Sequence, residues 1–294
     1  MVVALFSSPG QSLSRNFGTS PNSKIVFERH GDINWLPLGL FTVNLDGSNL
    51  VQLRSSRSVA FPKWSPDGTR IAFCEVPQGY EFFASNISII KPNGEGIKQL
   101  TFHEDGAVAV PSWSPDSKRV VYDLYKDRIH QIYIVDIKNL RFKQLTHEGS
   151  NGLPVFTPSN EIIFHELDSY PARIFIMDHN GENKTELFLF QAGDEGFEWS
   201  RDGERIVFVR NGNICMINSD GSNFEMIPGI SRAIKVTLSP DGEKVAYSDI
   251  NNQEIYLVDL DGQNNCKIVS NPLGPNEEVV GSIDVSWSPW IQNS

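Results

Sequence analysis

One turn constrains this chain more than anything else in it. Trp64-Ser65-Pro66-Asp67-Gly68 ends one strand and opens an apolar run, Ile71-Ala72-Phe73, and the pattern then recurs along the sequence. It returns at Trp113-Ser114-Pro115-Asp116, Phe156-Thr157-Pro158-Ser159, Trp199-Ser200-Arg201-Asp202 and Leu238-Ser239-Pro240-Asp241, and it breaks off at Trp287-Ser288-Pro289. The turn chemistry is self-explanatory. Proline presets φ, the aspartate bonds back to the backbone, and glycine takes the positive-φ position. Further along each repeat a second turn appears: Asp46-Gly47, Asn93-Gly94, Asn180-Gly181, Asp220-Gly221 and Asp261-Gly262, with Lys138-Asn139 at the equivalent place in the third repeat. An Asx-Gly pair between alternating apolar runs is a strong hairpin signal, because both residues tolerate positive φ.

Two hairpins per repeat make four antiparallel strands, and anchors at positions 64, 113, 156, 199, 238 and 287 make six repeats. The predicted fold is all-β: a six-bladed β-propeller of four-stranded antiparallel blades. The first repeat begins midway, at Lys24-Ile25-Val26-Phe27, without its aromatic strand; Ser282 to Ser288 supplies it, so the first blade is closed by the C-terminal strand. A ring closed this way leaves no blade short of a strand and only short, protected sheet edges. Residues 1–20 read as an N-terminal tail, and residues 21–294 as a single propeller domain. No helix of any length is expected, since apolar residues alternate with period two.

Charge and composition exclude several classes of function. The 25 Lys and Arg residues against 36 Asp and Glu give a net charge of −11, and no basic run is interleaved with aromatics, so no nucleic-acid partner is expected. No apolar stretch reaches the roughly 18 residues of a membrane span, so no membrane partner is expected either. Cys74, Cys215 and Cys266 have no metal-type spacing and read as small buried apolar residues. The short apolar start, Val2 to Phe6, has no basic residue beyond it on the N-terminal side and is too short for an export signal; the chain as given reads as cytoplasmic, or periplasmic or secreted had a leader been removed. A monomer is expected.

The pattern Trp-Ser-Pro-Asp-Gly-x-x-Ile-Ala-Phe, followed by Ile-Tyr-x-x-Asp and by Leu100-Thr101 or Leu145-Thr146, resembles the repeats of TolB-type propellers over about residues 21–290. The resemblance implies the fold. It implies little about activity, since such propellers include that of the periplasmic TolB protein, the gating propellers of prolyl-oligopeptidase-type peptidases, and lyases acting on oligogalacturonate. No Gly-x-Ser-x-Gly element of a hydrolase occurs here.

Reactive side chains collect away from the stereotyped turns. His30, His103, His130, His147 and His165 all fall near the opposite, long-loop face, called the top face below; only His179 sits in a short turn. Blades 1–4 are expected to carry long loops there, Arg29–Leu38, Cys74–Asn86, Asp123–Gln131 and His165–Arg173, forming a lopsided wall. Trp35, Tyr80, Asp123, Tyr125, His130 and Tyr170, with Arg210 and Arg232, are the candidate ligand-binding residues, aromatics with a few convergent polar groups; equally, the aromatics suit packing the loops down. His103, His147, His165 and Glu166 are the candidate catalytic set, because two or three imidazoles and carboxylates near the axis would serve acid–base chemistry or hold a divalent metal. Lys63, Arg210, Arg232 and Lys235 suit either an anionic ligand or the role of counter-ions to acidic loops. The leading expectation is a non-catalytic binding propeller that presents an asymmetric top-face funnel to a protein, peptide or small carbohydrate-like ligand, without a cofactor. The alternative is a lyase, cyclase or hydrolase using the top-face His, Glu and Asp residues, with or without a divalent metal. The two part on whether His103, His147 and His165 share one pocket.

Overall fold

A computed structural model describes residues 23–29, 39–56, 59–76, 84–169, 173–187, 194–249, 254–270 and 284–289; the N-terminal tail expected at 1–20 lies outside these. The described residues contain strands and turns and no helix, so among them no helix is long and apolar enough to cross a membrane. The strands assemble into six four-stranded antiparallel sheets arranged as a ring.

Blade 1 holds β1 (Lys24–Arg29), β2 (Gly39–Asn44) and β3 (Val51–Ser55). Blade 2 is β4 (Val59–Trp64), β5 (Ile71–Glu75), β6 (Asn86–Ile90) and β7 (Lys98–Gln99). Blade 3 follows with β8 (Ala107–Trp113), β9 (Arg119–Lys126), β10 (Ile129–Asp136) and β11 (Phe142–Gln144). Blade 4 is built from β12 (Asn151–Phe156), β13 (Glu161–Glu166), β14 (Arg173–Asp178) and β15 (Thr185–Leu187). In blade 5 stand β16 (Asp194–Trp199), β17 (Arg205–Arg210), β18 (Asn213–Asn218) and β19 (Glu225–Met226). Blade 6 runs through β20 (Ala233–Leu238), β21 (Lys244–Asp249), β22 (Ile255–Asp259) and β23 (Cys266–Val269). The last strand, β24 (Val285–Trp287), then pairs with β1 in the register Ile25↔Trp287 and completes blade 1, as the sequence predicts.

Alternation explains the packing. In β9 the even residues Val120, Tyr122 and Leu124 turn toward blade 2, while Val121 turns with Ile132 and Ile134 toward blade 4. Six apolar clusters result, one between each pair of neighbouring blades. Hydroxyls at the residue before an anchor stitch the inner ring: Ser112 Oγ accepts from Phe156 N (3.0 Å), Ser286 Oγ from Trp64 N (3.2 Å) and Thr237 Oγ1 from Trp287 N (3.3 Å). Trp113 Nε1 donates to Lys63 O across the blade 2–3 seam (3.0 Å).

The repeated turn is held by its serine and aspartate. Ser65 Oγ accepts from Arg70 N and donates to Asp67 Oδ1, which also receives Thr69 N. These bonds favour the carboxylate, so the Asp67 carboxyl lies below its usual range despite the opposing effect of burial, the largest single influence on it. Where glycine is missing, Ser117 (φ 58) and Asn160 (φ 69) take the left-handed position. The Leu-Thr element is structural too: Leu145 N donates to Ile132 O and Thr146 Oγ1 accepts from Ile132 N, and Leu100 and Thr101 do the same with Ile87, tying the end of the fourth strand to the third in blades 2 and 3. In the second turn, Gly262 (φ 80) has a further reason to be glycine, because a Cβ there would meet Pro228 O of the neighbouring blade at 2.6 Å.

Two expectations need correcting. The loop of blade 3 is not long: β9 and β10 run on to meet at a two-residue turn, Asp127-Arg128, both with positive φ (53 and 66), which matches the twist of a tight hairpin. Cys74 and Cys215 are buried, but Cys266 is only half-buried at the rim of the blade 1–6 cluster, since it begins an outer strand.

Candidate functional site

The extended hairpin of blade 3 brings three of the candidate residues together. On the face it turns toward blade 4, β9 carries Val121, Asp123 and Tyr125, and β10 carries His130, Ile132 and Ile134; the lower members are core and the upper three are not. Tyr125 and His130 are cross-strand partners with ring centroids 4.7 Å apart. Behind them, Asp123 is buried, and its Oδ2 lies 3.3 Å from His130 Nδ1 and accepts from Leu153 N at 3.3 Å. Its Oδ1 is buried with no hydrogen-bond partner among the described residues.

Blade 4 completes the site. His130 N donates to Ser150 Oγ (3.1 Å), Leu167 N to Ser150 O (2.7 Å), and Ser150 N to Asp168 Oδ2 (2.7 Å). Gly149 (φ 66) permits this approach, since a Cβ would stand 2.8 Å from that same Asp168 oxygen. Beside the polar cluster, Leu153 and Leu167 are exposed, Leu153 with positive φ (55) at a bulge; Ile129, also exposed, alternates to the opposite face of β10 from His130. The site is thus an apolar and aromatic rim over a buried carboxylate, with His130 half-buried between them. A carboxylate facing Nδ1 orients the imidazole and leaves Nε2 available to a ligand.

The other candidates stand apart from it. His103 packs on the blade 2–3 seam, with Nε2 3.1 Å from Tyr122 Oη and its ring against Tyr133 and Phe142; burial holds its pKa below the ordinary value. His147 is exposed. His165 lies within β13 rather than in a loop and is buried against Phe197, ring centroids 5.3 Å apart. Glu166 is ion-paired with Arg173 and with Lys184. Arg210 forms a two-pronged pair with Asp194 (both 2.6 Å), Arg232 reaches Asp249 (3.6 Å), Lys63 pairs with Glu198 (2.8 Å) and Lys235 with Asp284 (3.2 Å), so each basic candidate has an acidic neighbour. Trp35, Tyr80 and Tyr170 fall outside the described residues, as does His30. Among the described residues no group of three or more His, Cys, Asp or Glu side chains is placed to hold a metal ion.

His165 supplies a pH prediction. Burial pushes its imidazole down to about 4, against an upward pull from Asp194. A depressed histidine stabilises the fold fully above its unfolded value of about 6.5, and that contribution is lost as pH falls through about 4; a gap this size amounts to something on the order of 3 kcal/mol. His165→Leu is therefore expected to lose less stability than the parent between pH 7 and pH 4, measured by urea unfolding at each pH. Equal losses would refute the assignment.

Leu153, Leu167 and Ser150 were not among the sequence candidates. One signal for them existed. Phe61-Pro62, Val110-Pro111 and Leu153-Pro154 stand at the same place in three repeats, and proline inside an inner strand marks a bulge. Phe61, Val110 and Leu153 all have positive φ there, and the register slips at this point in the inner strands of blades 2 to 6. The bulge re-aims the side chains around it.

A family profile described as the TolB β-propeller domain matches residues 22–290. Among solved structures, the chain is similar to TolB from Acinetobacter baumannii, with 18% identity over 92% of this chain and 67% of that one and a TM-score of 0.76. It is also similar to a chain of a nidogen–laminin complex (10% identity, 90% of this chain and 98% of that one, TM-score 0.70) and to oligogalacturonate lyase from Vibrio parahaemolyticus (14% identity, 85% and 80%, TM-score 0.57). At these identities the likeness is one of fold. No curated protein sequence matches the chain.

Proposed function

The chain belongs to the TolB β-propeller family, and from that premise we propose that it is a non-catalytic binding propeller whose top face receives a protein or peptide at the junction of blades 3 and 4. The observation that carries this reading is the grouping of exposed Leu153 and Leu167 beside Tyr125, His130 and the buried Asp123. An apolar and aromatic patch with a few oriented polar groups is the composition of an interface centre. One fold relative comes from a protein–protein complex, that of nidogen with laminin.

The test is a peptide library selected on the intact protein, followed by hydrogen exchange to map the binders. Selected peptides are expected to protect residues 123–131, 150–153 and 165–168, and Leu153→Asp to weaken them by about tenfold or more, as loss of an interface anchor does. Binders that map elsewhere, or that ignore Leu153→Asp, would overturn the proposal. The enzyme alternative retains one favourable observation, the imidazole of His130 oriented by Asp123; it predicts turnover of a uronate oligomer that His130→Ala abolishes. The original catalytic set of His103, His147 and His165 supports it less, since these stand in three different settings.

A further inference from the structure

The opposite face, where the repeated turns lie, opens into a funnel on the propeller axis. Its cavity is ≈ 500 Å³, within the range of small-ligand sites, and the inner strands and turns of all six blades wall it. Lys63 of blade 2 and Glu198 of blade 5 meet at 2.8 Å, although their blades stand opposite each other in the ring. This pair spans the axis and brings the Lys63 ammonium to the blade 5 side. Both side chains keep about a quarter of their surface exposed, 28% and 27%.

The rim breaks its symmetry at one point. Five repeats place proline after the turn serine or threonine, at Pro66, Pro115, Pro158, Pro240 and Pro289, all lining the funnel; blade 5 places Arg201 there, three residues beyond Glu198. Arg201 is exposed and makes no ion pair among the described residues. The acids on the wall are already engaged: Asp67 and Asp116 accept from the serines and backbone of their own turns, and Glu198 takes Lys63. A pocket whose acids are engaged, and whose uncommitted groups are a guanidinium and the free donors of an ammonium, selects an acceptor-rich anion.

We infer that this funnel is a second binding site, independent of the top face, which takes the carboxylate of a short organic chain end-on, with Arg201 at the rim and Lys63 at the floor as the groups that hold it. Lys63 can serve the ligand without leaving Glu198, because an ammonium carries three donors. The acidic surface of the chain as a whole would slow the approach of an anion, so selectivity comes from the pocket and not from long-range steering.

The experiment is calorimetric titration of the intact protein with N-acetyl-trialanine and with its C-terminal amide, which differ only in the charge of the end group. The acid is expected to bind and the amide to bind about tenfold or more weakly, the usual consequence of losing a hydrogen bond to a charged group. Arg201→Pro is the decisive variant. It installs the residue that the other five repeats already carry, so the fold is expected to tolerate it, and it should weaken the acid by a similar factor while leaving the amide unchanged; Arg201→Ser repeats the test should the proline variant misfold. Leu153→Asp, on the far face, should leave the titration unaltered, which separates this site from the one proposed above. Equal binding of acid and amide, undiminished binding to both Arg201 variants, or no binding of the acid would each overturn the inference.

Discussion

Removing residues 284–294 is expected to abolish cooperative unfolding at room temperature and to drive the protein into aggregates. The segment carries β24, and β24 supplies the inner strand of blade 1. Its loss strips β1 of the Ile25↔Trp287, Val26↔Ser286 and Phe27↔Val285 pairings, together with the bonds from Lys24 N to Ser288 Oγ and from Ser288 N to Lys24 O (both 2.8 Å). It also opens the inner ring on both sides, because Ser286 accepts from Trp64 of blade 2 and Trp287 donates to Thr237 of blade 6. Trp287 and Val285 leave the apolar cluster shared by blades 1 and 6. Trp287→Ala alone should cost about 3–5 kcal/mol, against a total stability on the order of 5–15 kcal/mol for a domain. The bared edge of β1 then invites pairing between molecules. Thermal melts with light scattering give the answer, and a truncated chain that melts like the parent without scattering would disprove the two-ended blade.

The second large effect is expected at Asp194. Its carboxylate is buried, side chain 0% exposed, and it grips Arg210 through Nε and Nη2, both at 2.6 Å; the guanidinium also lies over the rings of Phe208 and Phe224 at 5.2 and 5.0 Å. Asp194→Ala leaves that cation in an apolar setting without its counter-charge, at a cost of about 3–5 kcal/mol. The second change, Arg210→Met in the same chain, should recover most of the loss, because replacing both members of a buried pair by apolar groups is often near neutral. Urea unfolding of the two variants measures this. A loss below about 1 kcal/mol for the single change, the level of a solvent-exposed pair, or no recovery in the double variant, would show that the pair is not the buried lock described. Arg210 is thereby better explained as part of the scaffold than as a ligand-binding group.

Fold and site were not equally legible. The ring could be read because each blade repeats a local rule: a Ser-x-Asp turn closed by its own side chains, an Asx-Gly turn, and period-two apolar strands. Even the split first blade showed, since Lys24–Phe27 lacks a partner strand and Val285–Trp287 is that strand. Asp123, Tyr125 and His130 were identifiable as chemistry-bearing residues on one edge, and alternation along β9 and β10 puts them on one face. The length of the blade 3 loop was misread, because Asp127-Arg128 lacks the glycine that usually announces a two-residue turn, yet both residues take positive φ. The two readings open for the basic candidates, anion site or counter-ion, could not be parted before the strands are paired: Arg210 and Asp194 are cross-strand neighbours in a register that no residue spacing discloses.

By itself, then, the sequence determined the blade, its count and its closure, because turns and alternation are local and each repeat restates them. Only the tertiary structure decided which loops meet. It placed His103, His147 and His165 in separate settings, joined Asp123 of blade 3 to Leu153 of blade 4, and carried Lys63 across the axis to Glu198. Contacts of this kind depend on the angle at which six blades close around one axis and on bulges that re-aim single side chains. The packing of the whole ring sets both, and no segment of the chain encodes them alone. The Trp-Ser-Pro-Asp-Gly turn holds both lessons: as a repeat it specifies a scaffold, and where one copy departs from it, at Arg201, it marks the place where the funnel differs from its own symmetry.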